Sequence, residues 1–253
     1  MKRALCLAAA LCLFASAAFA QPATEAAPLT GERLYPEGAD AATASYVFSY
    51  AYPQFTGEGD GIAAINAYYA SMAKDTANAA APDEASLPDA LPADGSPAYY
   101  TQIDYRVTAN TDDYLSVLIS SRQFLGNTET ENWSANVFAQ NGVYVGQPLS
   151  LSQVMGLEQE DGASASGNSY AADLVYGLVW QIVQQQQAMQ QRDYFAELTQ
   201  ADLEQVFTPE SDFYLDGDNN LVFYIQPGAI ASEVEGVLTF PFSVAELLSA
   251  VKP

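Results

Sequence analysis

The sequence predicts an α+β fold built from antiparallel sheet with helices packed on one face, in two closely packed halves. Three observations predict it. Aromatic residues alternate with small ones in strand-like runs, short polar turns join several of those runs, and two longer segments repeat apolar residues at helical spacing. Half the chain is apolar and 12% is aromatic, so a packed core is expected.

The chain opens with an export signal. Lys2 and Arg3 precede an almost wholly apolar run from Ala4 to Ala17, and Ala18-Phe19-Ala20 supplies the small-x-small pattern of a cleavage site before Gln21. Cys6 and Cys12 both follow leucine, which is not the small residue a lipid-anchor motif places there. No later stretch approaches the roughly 18 apolar residues of a membrane span. The expected location is therefore the periplasm or the medium.

Cleavage after Ala20 removes both cysteines and two of the eight basic residues, leaving six against 31 acidic ones and a net charge of −25. With no thiol and no histidine, the mature chain has no disulfide, cysteine nucleophile, thiolate or imidazole metal site, or histidine-based triad. Such a charge repels nucleic acid and attracts cationic partners.

Residues 21–43 show no sustained period and read as a flexible leader. Tyr46, Phe48, Tyr50 and Tyr52 then fall on alternate positions, a strand that Pro53 ends. Asp60 opens an amphipathic helix through Ile62, Ile65, Tyr69 and Met72 to about Ala80, and the four prolines of 81–97 mark an exposed loop. Tyr99–Ala109 and Tyr114–Phe124 form a hairpin across residues 110–113. Asn141-Gly142 predicts a second hairpin between Ser134–Gln140 and Val143–Val145.

A short helical turn follows Pro148, and a Gly/Ser linker at 162–167 precedes the longest helix, Ser169 to Gln191. Its apolar stripe is Leu174, Leu178 and Ile182 with Val175, Val179 and Val183. Thr199 and Asp202 cap a short helix to Phe207, Phe213–Leu215 pairs with Leu221–Ile225, Val237–Phe242 is a last strand and Ala245–Val251 a last helix.

No pattern marks a catalytic, cofactor-binding or metal site. Asp216-Gly217-Asp218-Asn219-Asn220 begins like a calcium loop, but Leu221 stands where glycine is needed and Pro227 where a closing glutamate is needed, so a hairpin turn is expected. The aromatic row, with Tyr99, Tyr100, Tyr105 and Tyr114, is read as core rather than a sugar platform. Asp112-Asp113 and Glu158 to Asp161 read as solvated surface, and Ser120, Ser121 and Ser164 lack a nucleophile's setting. Asn132-Trp133-Ser134 matches a glycosylation acceptor and is assigned no role.

Asp212-Phe213-Tyr214-Leu215, Asn220 through Pro227, Ile230-Ala231, Gly236, Phe240-Pro241-Phe242 and Leu247-Leu248 together resemble the C-terminal domain of RsiV-like proteins. Gly146 to Leu151 resembles the segment before that family's short helix. Tyr52-Pro53-Gln54-Phe55 with Ile65-Asn66 resembles the companion domain also found in the peptidoglycan deacetylase PdaC. Phe124-Leu125-Gly126-Asn127-Thr128 departs from the family's Gly-Gly-Ala-His segment.

The resemblance implies an N-terminal half at 44–125, a C-terminal half at 126–253, and binding rather than catalysis. The family includes a membrane-anchored anti-sigma factor whose outer domain binds lysozyme. The expectation is an exported, non-catalytic domain of the cell envelope that takes a cationic protein such as a lysozyme, or peptidoglycan, and uses no cofactor. The alternatives are an envelope glycan-active enzyme using carboxylates and a structural domain without a soluble ligand.

Overall fold

The computed structural model of the chain describes residues 22–57, 59–79, 99–126, 128–157 and 169–251. The segments expected to be an export signal, a proline-rich loop at 81–97 and a linker at 162–167 lie outside those residues. The fold is α+β, with three sheets and five α-helices among the described residues. In chain order these are β1 (Thr24–Glu25), β2 (Leu29–Tyr35), β3 (Tyr46–Tyr52), β4 (Phe55–Thr56), α1 (Asp60–Ala79), β5 (Tyr99–Asn110), β6 (Tyr114–Phe124) and β7 (Glu129–Ala139). Then come α2 (Leu151–Met155), α3 (Tyr170–Ala188), α4 (Gln200–Val206), β8 (Phe213–Leu215), β9 (Asn220–Ile225), β10 (Leu238–Ser243) and α5 (Val244–Val251).

The largest sheet has the order β2-β3-β5-β6-β7. Its pairs are antiparallel except β3 with β5, between which the chain passes through α1. Strand alternation sends Leu115, Val117 and Ile119 of β6 to the face that α1 covers with Ile65, Tyr69 and Ala73. Ser116 and Leu118 turn to the opposite face, and all five residues are at most 4% exposed. Burying each of the three aliphatic chains contributes about 1.5–3 kcal/mol.

On that second face lies the sheet β10-β9-β8. The buried Ser116 hydroxyl accepts from the Leu215 backbone N–H at 3.0 Å and from the Thr108 hydroxyl at 2.8 Å, which fastens β8 to β6. Beside it, the Gln226 amide closes the edge of β7. Its Oε1 accepts from the Trp133 N–H at 3.0 Å and its Nε2 donates to the Trp133 carbonyl at 2.6 Å. The Trp133 ring meets Tyr214 and Tyr224 edge-on at 6.2 and 5.9 Å.

The far side of the small sheet is the second core. Phe213, Leu215, Leu221, Phe223, Ile225 and Phe240 pack against Val175, Val179 and Val183 of α3, Leu203 of α4 and Leu247 of α5. In the α3 stripe the three valines are buried, while Leu174, Leu178 and Ile182 are half-buried. Ser169 caps α3, and a reciprocal box of Thr199 and Asp202 caps α4. Glu210 ties α2 to α3, accepting from the Ser152 hydroxyl at 2.8 Å and from the Ser169 hydroxyl.

Two sequence expectations meet a different structure. Residues 29–35, read as leader, form an edge strand registered along the whole of β3. Thr24 and Glu25 pair with β4, and Ala23 is 4% exposed, its carbonyl accepting from the Asn110 amide at 2.6 Å. The strand character of Leu-Thr-Gly-Glu-Arg-Leu-Tyr comes from its distant partner: Gly31 leaves the space into which the Tyr50 ring folds, where a Cβ would lie 2.4 Å away.

Second, Asn141-Gly142 turns the chain without making a hairpin. β7 starts at Glu129, and Val143, 89% exposed, is not in a strand. Gln140 is held at the β5–β6 turn through its N–H to Asp113 and its amide to Asn110 and Thr111. Gly146, at φ +75°, then fits against Gly61 and Ala64 of α1, where a Cβ would meet Ala64 at 2.8 Å. The expected boundary at 125/126 falls in the β6–β7 connection, across which β7 pairs with β6 along its full length.

Two outcomes follow from these fastenings. Ser116→Ala removes the acceptor of a buried N–H and lowers stability by about 1–3 kcal/mol in urea unfolding; an unchanged midpoint would show that β8 is held without it. Thr199→Ala costs about 1 kcal/mol at neutral pH. The Thr199 hydroxyl and backbone N–H hold the Asp202 carboxyl below its ordinary value. The Asp202 share of the cap is therefore complete above the unfolded value, about 3.9, and is lost as pH falls through the lower folded value. The gap between wild type and Thr199→Ala should narrow in acid, and a gap that widens there would contradict the cap.

Candidate functional site

An acid-rich shell surrounds the second core. From Asp193 to Val251 the sequence has eleven carboxylates and no lysine or arginine. Of the basic residues outside that run, Arg122 pairs with Asp104 at 3.1 Å, Arg192 with Glu235 of the run at 3.2 Å, and Arg33 donates to the Ala77 carbonyl near the end of α1. Apart from Glu235, the carboxylates of this shell form no ion pair with the described residues, and the exposed ones keep their negative potential on the surface.

Within the shell an open groove of 440 Å³ is lined by Phe195, Glu197, Leu198, Asp202, Gln205, Val206 and Ala229. Backbone pairing builds it. The Ser232 N–H donates to Asp193 at 3.1 Å, Tyr194 bridges to Ala231, and the Phe195 N–H donates to Ile230 at 3.1 Å, which sets Phe195 beside Ala229. Glu235 anchors the same segment through Arg192 and the Asp193 N–H. A turn from Phe195 to Leu198 leads into the Thr199 cap, so α4 forms the opposite wall with Asp202, Gln205 and Val206.

Leu198 and Ala229 lean on the second core, whereas Phe195 is 45% and Val206 43% exposed. Glu197 is exposed and makes no hydrogen bond or ion pair with the described residues. Both bonds that Asp202 accepts from Thr199 fall on Oδ2, leaving Oδ1 outside the cap. The side chain of Glu233 lies over Gly228, next to Ala229. Chemically the groove combines apolar side chains from Phe195, Leu198, Val206 and Ala229 with the carboxylates of Glu197 and Asp202 and one neutral amide, Gln205.

The residues weighed from sequence do not meet here. Asp216 spends its carboxylate inside the β8–β9 turn, accepting from the Asp218 and Asn220 N–H groups at 2.9 Å each and from the Asn220 amide at 3.0 Å. Burial opposes its ionisation, yet the Asn220 amide and the two backbone donors outweigh it and hold the carboxyl low. The motif is a turn, with Asn219 at φ +60°. Among the described residues no three acidic side chains converge as a metal site.

In the aromatic row Tyr46, Phe48 and Tyr52 are at most 5% exposed, so it is core, and Tyr99, Tyr100, Tyr105 and Tyr114 are half-buried. Asp112 and Asp113 are exposed in the β5–β6 turn, and Ser120 and Ser121 sit mid-strand in β6. Asn132, Trp133 and Ser134 lie in β7, where Trp133 is part of the seam to Tyr214 and Tyr224. Leu125 and Gly126 are exposed after β6, while Asn127, Ser164 and Glu158 to Asp161 lie outside the described residues. Asn66, one of the resemblance residues, clasps the Phe55 backbone with two bonds of 2.8 Å, a structural role. Phe195, Glu197 and Val206 were not singled out by sequence reasoning; the signal open to it was the base-free run itself.

No helix among the described residues is long and apolar enough to cross a membrane. No family model matches the chain, and no curated protein matches it by sequence. In fold it is similar to the crystal structure of a DUF3298 family protein from Pseudomonas aeruginosa PAO1, at 13% identity and a TM-score of 0.50, over 91% of this chain and 94% of that one. A DUF3298 family member from Bacteroides fragilis NCTC 9343 aligns at 12% identity and a TM-score of 0.48, over 89% of this chain and 92% of that one. The likeness to the Pseudomonas protein is one of fold, and it places the chain's α+β architecture beside that of a DUF3298 protein.

Proposed function

We propose that the chain is an exported, non-catalytic binding domain of the cell envelope, RsiV-like in kind, that engages a cationic protein such as a lysozyme, or cell-wall material. The observation that carries this reading is the run from Asp193 to Val251, with eleven carboxylates and no basic residue. Asp193, Glu197, Asp202, Glu204, Asp218, Glu233 and Glu246 of that run are exposed and form no ion pair with the described residues, which favours capture of a positive partner by steering. The signal at residues 1–20 supports delivery to the periplasm or the medium.

Titrating residues 21–253 with a c-type lysozyme by calorimetry tests the reading. Saturable binding that persists as salt rises is expected of a shaped interface, since exposed charges further apart than about 8 Å are screened at physiological ionic strength. Binding that vanishes with salt would reduce the signal to net charge. Absence of binding at low salt would exclude a lysozyme and leave peptidoglycan fragments as the ligand to titrate next.

A further inference from the structure

We infer that the groove between α4 and the 195–198 turn is a docking site for an amphipathic basic segment of a partner protein. An apolar side chain of the partner would seat against Phe195, Leu198 and Val206, with lysine or arginine over Glu197 and Asp202. The inference rests on the reading that the chain binds a cationic protein, and it names where and how.

Three features single out this place. First, Phe195 and Val206 are exposed although their backbones are fixed, Phe195 by its bond to Ile230 and Val206 as the last residue of a capped helix. Their exposure is built in, and apolar surface held open to water gains most from being covered by another apolar group. Second, the rim is chemically matched to cations. Among the described residues Glu197 has no partner, and the nearest basic residue in sequence, Arg192, is already paired with Glu235. A basic segment at Glu197 would therefore displace no ion pair among the described residues.

Third, the shape suits a projecting side chain. A volume of 440 Å³ is at the lower end of small-molecule sites, which run about 300–1,000 Å³. This groove is open, however, and Gln205 supplies its one neutral hydrogen-bonding side chain. A helix or loop presenting leucine or phenylalanine between lysines would find both its requirements met.

The test uses residues 21–253, a short amphipathic leucine–lysine peptide, an oligolysine of equal charge, and a c-type lysozyme. Phe195→Ser and Val206→Ser change exposed side chains, so folding is checked by circular dichroism and is expected to be retained. The leucine–lysine peptide should bind wild type and lose about tenfold in affinity to either serine variant, as for an interface anchor. Oligolysine should be indifferent to both serine variants and weakened by Glu197→Lys. If the two probes bind alike and Phe195→Ser alters neither, the groove is not a docking site.

Lysozyme separates the two levels of the argument. Equal binding of lysozyme by wild type and both serine variants would overturn the groove while leaving the cationic-partner reading in place. Failure of wild type to bind lysozyme or the leucine–lysine peptide would remove the cationic-protein reading itself, and the groove with it.

Discussion

The structure depends on one strand that is buried on both sides. Leu115, Val117 and Ile119 of β6 close the core under α1, while Ser116 and Leu118 on the reverse face are sealed by the second sheet. A strand with one wet face can stand at a surface; this one cannot, because opening either side exposes aliphatic chains or strips the Leu215 N–H of its acceptor. The N-terminal sheet and the C-terminal layers are therefore two coats on a single strand, and the Trp133, Gln226 and Tyr224 contacts extend that seam along β7.

That constraint decides which segments stay outside the two cores. Once β8, β9 and α3 are committed to the second core, the connections outside them carry chain that need only be soluble and correctly anchored. Segment 193–198, α4 and the 228–235 turn are such connections, and their fastenings are backbone bonds, one ion pair and one helix cap. Charge could accumulate there without entering the core, and two apolar side chains could remain outside it. Function on this fold is read from that surface and not from the fold, which a protein of 13% identity also adopts.

Much of this was legible in the sequence where the signal is local. The alternation of Tyr46 to Tyr52, the turn between Tyr99–Ala109 and Tyr114–Phe124, the stripe of α3 and the Thr199 cap each depend on residues a few positions apart, and they stand where periodicity and turn chemistry place them. What was not legible depends on distant partners. Leu29–Tyr35 becomes a strand because β3 offers it an edge, and the hairpin expected at Asn141-Gly142 is overridden by the hold of Gln140 on the β5–β6 turn and the fit of Gly146 to α1. The groove is the extreme case: Phe195, Val206 and Ala229 are brought together by pairing of residues 193–195 with 230–232, which no local pattern announces.

The claim that β6 makes the two halves one cooperative unit is tested most directly with the chain's two tryptophans. Trp133 sits at the seam, and Trp180 packs on the second core from α3. In Trp180→Phe the fluorescence reports the seam alone, and in Trp133→Phe it reports the C-terminal core alone. Within each variant, fluorescence and far-ultraviolet circular dichroism should give one coincident urea transition, as two-state unfolding requires. Separate transitions, with the Trp180 signal lost at a urea concentration where the sheet signal persists, would show that the halves unfold independently and that the doubly buried strand does not bind them.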